Sequence, residues 1–164
     1  MSEISIKTDV YTPETTKTVS FQGYHPSRLL SAMPNLLMDV FKLESAGIYE
    51  DQFKWDDSVD PDSFYVIWRG LKGFDKFSKF VFSVVIMGTQ NKKDKMGSAN
   101  VTMRAEIKTT MGQKTPLHWI ANRVYMSKFY NDFRRKYVKM AKEEVTQFEE
   151  EVKALFNLME RSKI

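Results

Sequence analysis

The alternation of apolar and polar positions in the middle of the chain predicts three long adjacent strands, Ser63 to Lys72, Phe77 to Thr89 and Ser98 to Met111. In the last run, every second residue from Ala99 to Ile107 is apolar, and the residues between them are polar. This period of two is typical of an antiparallel sheet with one buried face and one face in water.

The first third of the chain predicts further strands and a helical stretch. Glu3 to Tyr11 and Lys17 to Phe21 alternate and are separated by turn residues, which indicates a hairpin, and Ile48 to Trp55 predicts another strand. Between them, Pro26 to Leu43 has helical spacing but contains Pro34, so we predict two short helices that meet at this proline.

The segment Leu117 to Met159 has helical spacing throughout, and as one straight helix it would be about 65 Å long. Its apolar stripe changes phase, because one early group lies opposite the stripe that follows it. We therefore predict a kink near residues 122–127, or a short separate helix that ends there. The early group is Leu117, Ile120, Ala121 and Val124, and the later stripe is Met126, Phe129, Tyr130, Phe133, Tyr137, Met140, Ala141, Phe148, Val152, Leu155 and Met159.

These elements predict one α+β domain over residues 1–164, in which an antiparallel sheet of five or six strands packs on a long C-terminal helix. The apolar side of the last strand is expected to face the terminal helix. The expected partners are Val101, Met103, Ala105 and Ile107 on the strand and Phe133, Tyr137, Met140 and Phe148 on the helix.

Composition narrows the class of protein. The 164 residues include no cysteine, which excludes disulfides and thiolate chemistry and favours a reducing compartment. No apolar run approaches the roughly 20 residues of a membrane-spanning helix, and the first residues do not resemble a secretory signal. We therefore expect a soluble, cytoplasmic protein with a mild net charge of +4.

Residues that could carry catalysis or bind a metal are few. The two histidines, His25 and His118, lack the spacing of a zinc site, and the acidic loop from Asp56 to Asp62 lacks the glycine and closing glutamate of a calcium loop. No glycine-rich phosphate loop is present, and no acid and base pair can be assigned. The sequence thus predicts no catalytic residue, no metal ligand and no cofactor, and an enzyme is not favoured.

The order of elements resembles a known family. A leading strand, helices over Pro26 to Leu43, antiparallel strands over Ile48 to Met111 and a long terminal helix are similar to the helix-grip fold of the START and polyketide-cyclase-like (SRPBCC) superfamily. The resemblance implies a curved sheet around the terminal helix, with an apolar cavity between them. The superfamily includes lipid carriers, hormone receptors, cyclases and chaperone cofactors, so the resemblance does not choose a function.

The first functional hypothesis is non-enzymatic binding of an apolar small molecule or lipid between the sheet and the helix. It depends on a surplus of large apolar side chains that are expected to face inward, although such side chains also fill ordinary cores. The predicted ligand-binding residues are Phe53, Trp55, Trp68, Phe82, Met103, Phe133 and Tyr137.

The alternative hypothesis concerns residues 123–142, which carry seven basic side chains and the single acidic Asp132. Such a face is typical of contacts with nucleic acid, an anionic membrane or a protein partner, but also of an ordinary solvated helix. The predicted anion-binding residues are Arg123, Lys128, Arg135, Lys139 and Lys142.

Overall fold

The computed structural model describes residues 3–112 and 115–161. They form six strands, three α-helices and a short 3₁₀ helix, Ser45–Gly47. The strands are β1 (Glu3–Asp9), β2 (Lys17–Tyr24), β3 (Ile48–Asp56), β4 (Asp62–Gly73), β5 (Ser78–Gln90) and β6 (Met96–Gly112). The helices are α1 (Arg28–Phe41), α2 (Pro116–Lys128) and α3 (Tyr130–Arg161).

All six strands belong to one antiparallel sheet in the order β1-β6-β5-β4-β3, and β2 also pairs with β6. The predicted N-terminal hairpin is wrong, because β1 and β2 both pair with the long strand β6 instead of with each other: β1 pairs with residues 106–112 and β2 with residues 96–103. The predicted α+β class, with one antiparallel sheet of five or six strands and a long C-terminal helix packed on it, is confirmed.

The apolar face of the sheet is covered by α1 and α3. Alternate residues of β6 from Ala99 to Ile107 are buried, as the period of two predicts. At the centre, Phe41 of α1 contacts Phe82 of the sheet and Phe148 of α3, with ring centroids 4.4 and 5.3 Å away. Aromatic packing of this kind joins the three elements into one core.

Helix α1 corrects the prediction of two short helices that meet at Pro34. The structure has one continuous helix with Pro34 inside it. A proline inside a helix costs about 3 kcal/mol because one backbone hydrogen bond is lost. Here the completely buried residues Leu29, Met33, Leu37 and Phe41 recur every four positions across the proline. Their burial contributes about 1.5–3 kcal/mol each, which outweighs that cost.

The C-terminal segment is interrupted at Phe129, just beyond the predicted window of residues 122–127. The prediction that Phe133 and Met140 face the sheet was wrong, because both side chains are exposed. The buried stripe of α3 instead contains Tyr130, Ala141, Val145, Phe148, Glu149, Val152, Phe156 and Met159. Since about 100° separates successive helical residues, Phe133 and Met140 fall outside this stripe.

Candidate interaction surface around the second helix

Helix α2 begins with clear local signals. The hydroxyl oxygen of Thr115 accepts a hydrogen bond from the backbone N–H of His118 at 3.3 Å, so Thr115 is the N-cap. Pro116 occupies the first helical position, where its missing N–H costs nothing. At the other end the N–H of Phe129 still bonds to the carbonyl of Tyr125, and α3 begins at the next residue.

One side of α2 is anchored to the protein. Met126 is buried against Met111 of β6 and Tyr130 of α3. The side-chain amide of Asn122 donates a hydrogen bond to the backbone carbonyl of Gly112 at 3.3 Å. These contacts fix which face of the helix points toward the sheet.

The opposite face of α2 is apolar and lies in the solvent. Leu117, Ile120 and Val124 are 79%, 54% and 47% exposed, and Ala121 between them is exposed as well. At about 100° per residue these four side chains form one stripe on the side away from Met126. These four residues are the early apolar group of the C-terminal segment, which lies out of phase with the apolar stripe that follows it. We call them the α2 stripe. An exposed, contiguous apolar stripe is the mark of an interaction surface.

Positive charge lies beside the α2 stripe. Helix α2 contains no acidic residue, and its two cations are Arg123 and Lys128. The guanidinium of Arg123 lies 5.3 Å from the ring centre of Trp119, while Lys128 follows Val124 by one helical turn. All five predicted anion-binding residues, which are Arg123, Lys128, Arg135, Lys139 and Lys142, are exposed, and none forms an ion pair with a residue that the structure describes.

A hydrogen-bonded aspartate holds the start of α3 against the sheet. One oxygen of Asp75, in the β4–β5 turn, accepts from the N–H groups of Phe77 and Ser78 at 2.7 and 2.8 Å. The other oxygen accepts from the hydroxyls of Tyr130 and Tyr137 at 2.7 and 2.8 Å. Four donors therefore converge on one carboxylate, which joins the turn to the helix that follows α2.

These bonds determine the ionisation of the cluster. Partial burial by itself raises the pKa of Asp75, but the hydrogen bonds from Tyr130, the two amides and Tyr137 together outweigh burial and hold this pKa below its usual range. Burial is the main reason that the pKa of the Tyr130 phenol is raised, and the nearby Asp75 raises it further. The carboxylate is thus charged and the phenols are neutral at physiological pH.

Replacing Asp75 by Asn is expected to lower the free energy of unfolding by about 1 kcal/mol at pH 7, because hydrogen bonds to a charged acceptor are lost at an exposed residue, where water screens them. A carboxyl whose pKa is lowered by folding stabilises the fold above its unfolded pKa of about 3.9 and loses this effect as pH falls through the lower folded pKa. Urea denaturation of both proteins should show the difference shrinking below about pH 3.5. An equal difference at pH 7 and pH 3 would contradict this role.

The predicted ligand-binding residues do not come together. Phe82 and Met103 have no exposed surface and belong to the packed core, and Trp68 packs against that core. Phe53 and Trp55 lie on the edge strand β3, where they border an open pocket of about 860 Å³ on the surface. The helix residues Phe133 and Tyr137 line a different open pocket, of about 200 Å³. Binding between the sheet and the helix stays a prediction without support from this arrangement.

The comparisons with known proteins do not assign a function to these surfaces. None of the helices that the structure describes is both long enough and apolar enough to cross a membrane. No protein-family model matches the chain, and no curated protein has a significantly similar sequence. The surface around α2 is therefore interpreted from its own chemistry.

Proposed function

We propose that this protein binds reversibly to an anionic membrane surface through the α2 stripe, with Arg123 and Lys128 contacting lipid phosphates. The observation that carries the proposal is an apolar stripe exposed on a helix that has cations and no acidic residue. Amphipathic helices with an apolar side and basic side chains lie in the plane of the membrane interface, with the apolar side among the acyl chains and the basic side chains at the headgroups, and α2 has a short form of this pattern.

The chemistry of the stripe favours lipid over other anionic partners. Nucleic acid is bound through phosphate contacts and base stacking, to which the aliphatic Leu117, Ile120 and Val124 contribute nothing. A second copy of the chain would offer no acidic residue on its own α2 to complement Arg123 and Lys128. A lipid surface complements both the α2 stripe and the two cations, since it offers an apolar interior under a negatively charged layer.

The expected strength of binding is modest. Full burial of Leu, Ile or Val contributes about 1.5–3 kcal/mol, and each basic residue near an anionic surface contributes about 1 kcal/mol. Because the stripe is only partly removed from water, these terms describe a peripheral, reversible contact. The cytoplasmic leaflet carries the negative surface charge that this contact requires, so we place the proposed contact there.

Sedimentation with vesicles tests the proposal. We expect the protein to bind phosphatidylserine-rich vesicles at low salt and to be released as salt is raised, because screening weakens the attraction of exposed charges. The double variant Arg123→Gln/Lys128→Gln is expected to bind about 30-fold more weakly, since two cations that contribute about 1 kcal/mol each are removed. The matched control, Lys139→Gln/Lys142→Gln, removes the same amount of positive charge from α3, farther from the α2 stripe, and should weaken binding less.

Two results would contradict the proposal. One is an absence of binding to anionic vesicles at low salt, where electrostatic attraction is strongest. The other is equal weakening by both double variants, which would show that only net charge matters and that α2 has no particular part. Tight binding to DNA or RNA that is lost in the Arg123→Gln/Lys128→Gln variant would instead support a nucleic-acid interface.

A further inference from the structure

Five aromatic rings converge on the pocket beside Asp75. They come from the β4–β5 turn, from α2 and from α3, and they border a pocket of about 200 Å³ that is open to solvent, with the buried Tyr130 at its base. The ring of Tyr130 lies 5.7 Å from that of Phe77 and 6.1 Å from those of Tyr125 and Phe133, measured between centroids. The fifth ring is that of Tyr137.

The walls of the pocket favour a cation. Faces of aromatic rings carry partial negative charge and attract positive groups. One such contact already exists at the edge of the pocket, where the ammonium of Lys76 lies 4.7 Å from the ring centre of Phe77. The carboxylate of Asp75 adds a full negative charge to the same wall. Because Lys76 itself lines the pocket, a bound cation would displace its ammonium from Phe77.

Hydrogen bonding selects among cations. An ionised carboxylate has about four acceptor positions. At Asp75 these are taken by the Phe77 and Ser78 amides and by the Tyr130 and Tyr137 hydroxyls. A primary ammonium would find its N–H groups poorly matched in this pocket. A quaternary ammonium has no N–H group, so negative charge and ring faces are all that it requires.

The geometry points to a binding site for a quaternary ammonium group, such as choline or the headgroup of a choline lipid, within the cage formed by Phe77, Tyr125, Tyr130, Phe133 and Tyr137. The pocket is smaller than the roughly 300–1,000 Å³ of sites for drug-sized ligands, which suits a single headgroup-sized ion. This inference goes beyond the proposed membrane contact, because the cage would bind a dissolved cation whether or not α2 binds lipid.

Proton NMR with tetramethylammonium and choline tests the cage directly. Methyl groups held over ring faces are shifted upfield, and we expect a saturable shift with a dissociation constant on the order of 1 mM. The neutral carbon analogue of choline, dimethylbutanol, has the same shape without the charge. It should show at least tenfold weaker binding, because it lacks the positive charge that the ring faces and Asp75 attract.

Variants at exposed rings keep the fold intact while changing the cage. Tyr125→Leu and Phe133→Leu are each expected to weaken choline binding about tenfold, since each removes one cation–π wall. Phe129→Leu is the matched control, because this exposed ring stacks on Tyr125 at 6.1 Å without lining the pocket. Lys76→Gln should tighten binding about threefold, because it removes the cation that competes for Phe77.

Two results would overturn the inference. The first is the absence of a saturable shift with either cation. The second is equal binding of dimethylbutanol and choline, which would show that the pocket is only apolar.

Competition experiments distinguish the source of the quaternary ammonium group. Phosphatidylcholine vesicles that displace tetramethylammonium indicate a lipid headgroup, whereas displacement by free choline alone indicates a dissolved ligand. Since the probes are soluble, failure here is separate from failure of the vesicle experiment.

Discussion

Replacing Leu117, Ile120 and Val124 together by Gln is expected to reduce binding to phosphatidylserine-rich vesicles more than 100-fold. Transfer of these side chains from water into the acyl region supplies most of the binding free energy, at about 1.5–3 kcal/mol for each fully buried residue. The variant should fold normally, because all three side chains are exposed and Gln is a good helix former. Vesicle sedimentation and thermal unfolding followed by circular dichroism measure the two effects.

Exposed apolar residues elsewhere provide the control for this variant. Val59, in the loop before β4, and Leu158, near the end of α3, are both well exposed. Changing these two residues to Gln removes similar apolar surface from other parts of the molecule, and we expect vesicle binding to stay the same. A triple α2 variant that binds as tightly as the unchanged protein would show that the α2 stripe does not enter the membrane.

Replacing Phe148 by Ala is expected to lower the free energy of unfolding by about 3–5 kcal/mol, the range for removing a large aromatic side chain from a packed core. Phe148 has no exposed surface, and its ring centroid lies 4.9 Å from that of Phe82 in the sheet. Urea denaturation measures the change. The variant removes a side chain of α3 that contacts both the sheet and α1.

The matched control is Phe133→Ala, the same substitution on the same helix. Phe133 is 53% exposed, so its removal should cost less than about 1.5 kcal/mol. Equal losses of stability in the two variants would contradict the assignment of Phe148 to the core and of Phe133 to the surface.

The sheet could be predicted from the sequence because its signal is local and redundant. The alternation in β6 continues from Ala99 to Ile107, and a slip by one residue would expose every one of these apolar side chains. Long adjacent strands and a following helical segment leave few other ways to cover that face. The confirmed part of the fold is the part in which pattern, length and burial agree.

Helix α1 shows where a local signal was misleading. Pro34 by itself predicts a break, and the rule behind that prediction is sound. The helix continues because Leu29, Met33, Leu37 and Phe41 are all buried, and the amount of that burial depends on the sheet and α3. Tertiary packing therefore outweighed the unfavourable helix propensity of Pro34, which is about 3 kcal/mol.

The candidate surface was predicted only in part. The cations of residues 123–142 and the change of phase at the α2 stripe are visible in the sequence, but whether other residues cover the stripe depends on tertiary structure. The role of Asp75 was missed. An aspartate shortly after Gly73, which accepts a hydrogen bond from the amide two residues later, is a turn signal that the sequence shows. The bonds of Asp75 to Tyr130 and Tyr137 join residues far apart in the chain, and no local pattern predicts them.

The most direct test uses the lack of cysteine in this chain, which allows a single fluorescent label to be placed on α2 through Ala121→Cys. With phosphatidylserine-rich vesicles at low salt, we expect an environment-sensitive dye at residue 121 to shift to the blue and to be quenched by quenchers on the lipid chains. The same dye at Gln147→Cys, an exposed position on α3, should not change. An unchanged spectrum at residue 121, or equal changes at both positions, would contradict insertion of the α2 stripe into the membrane.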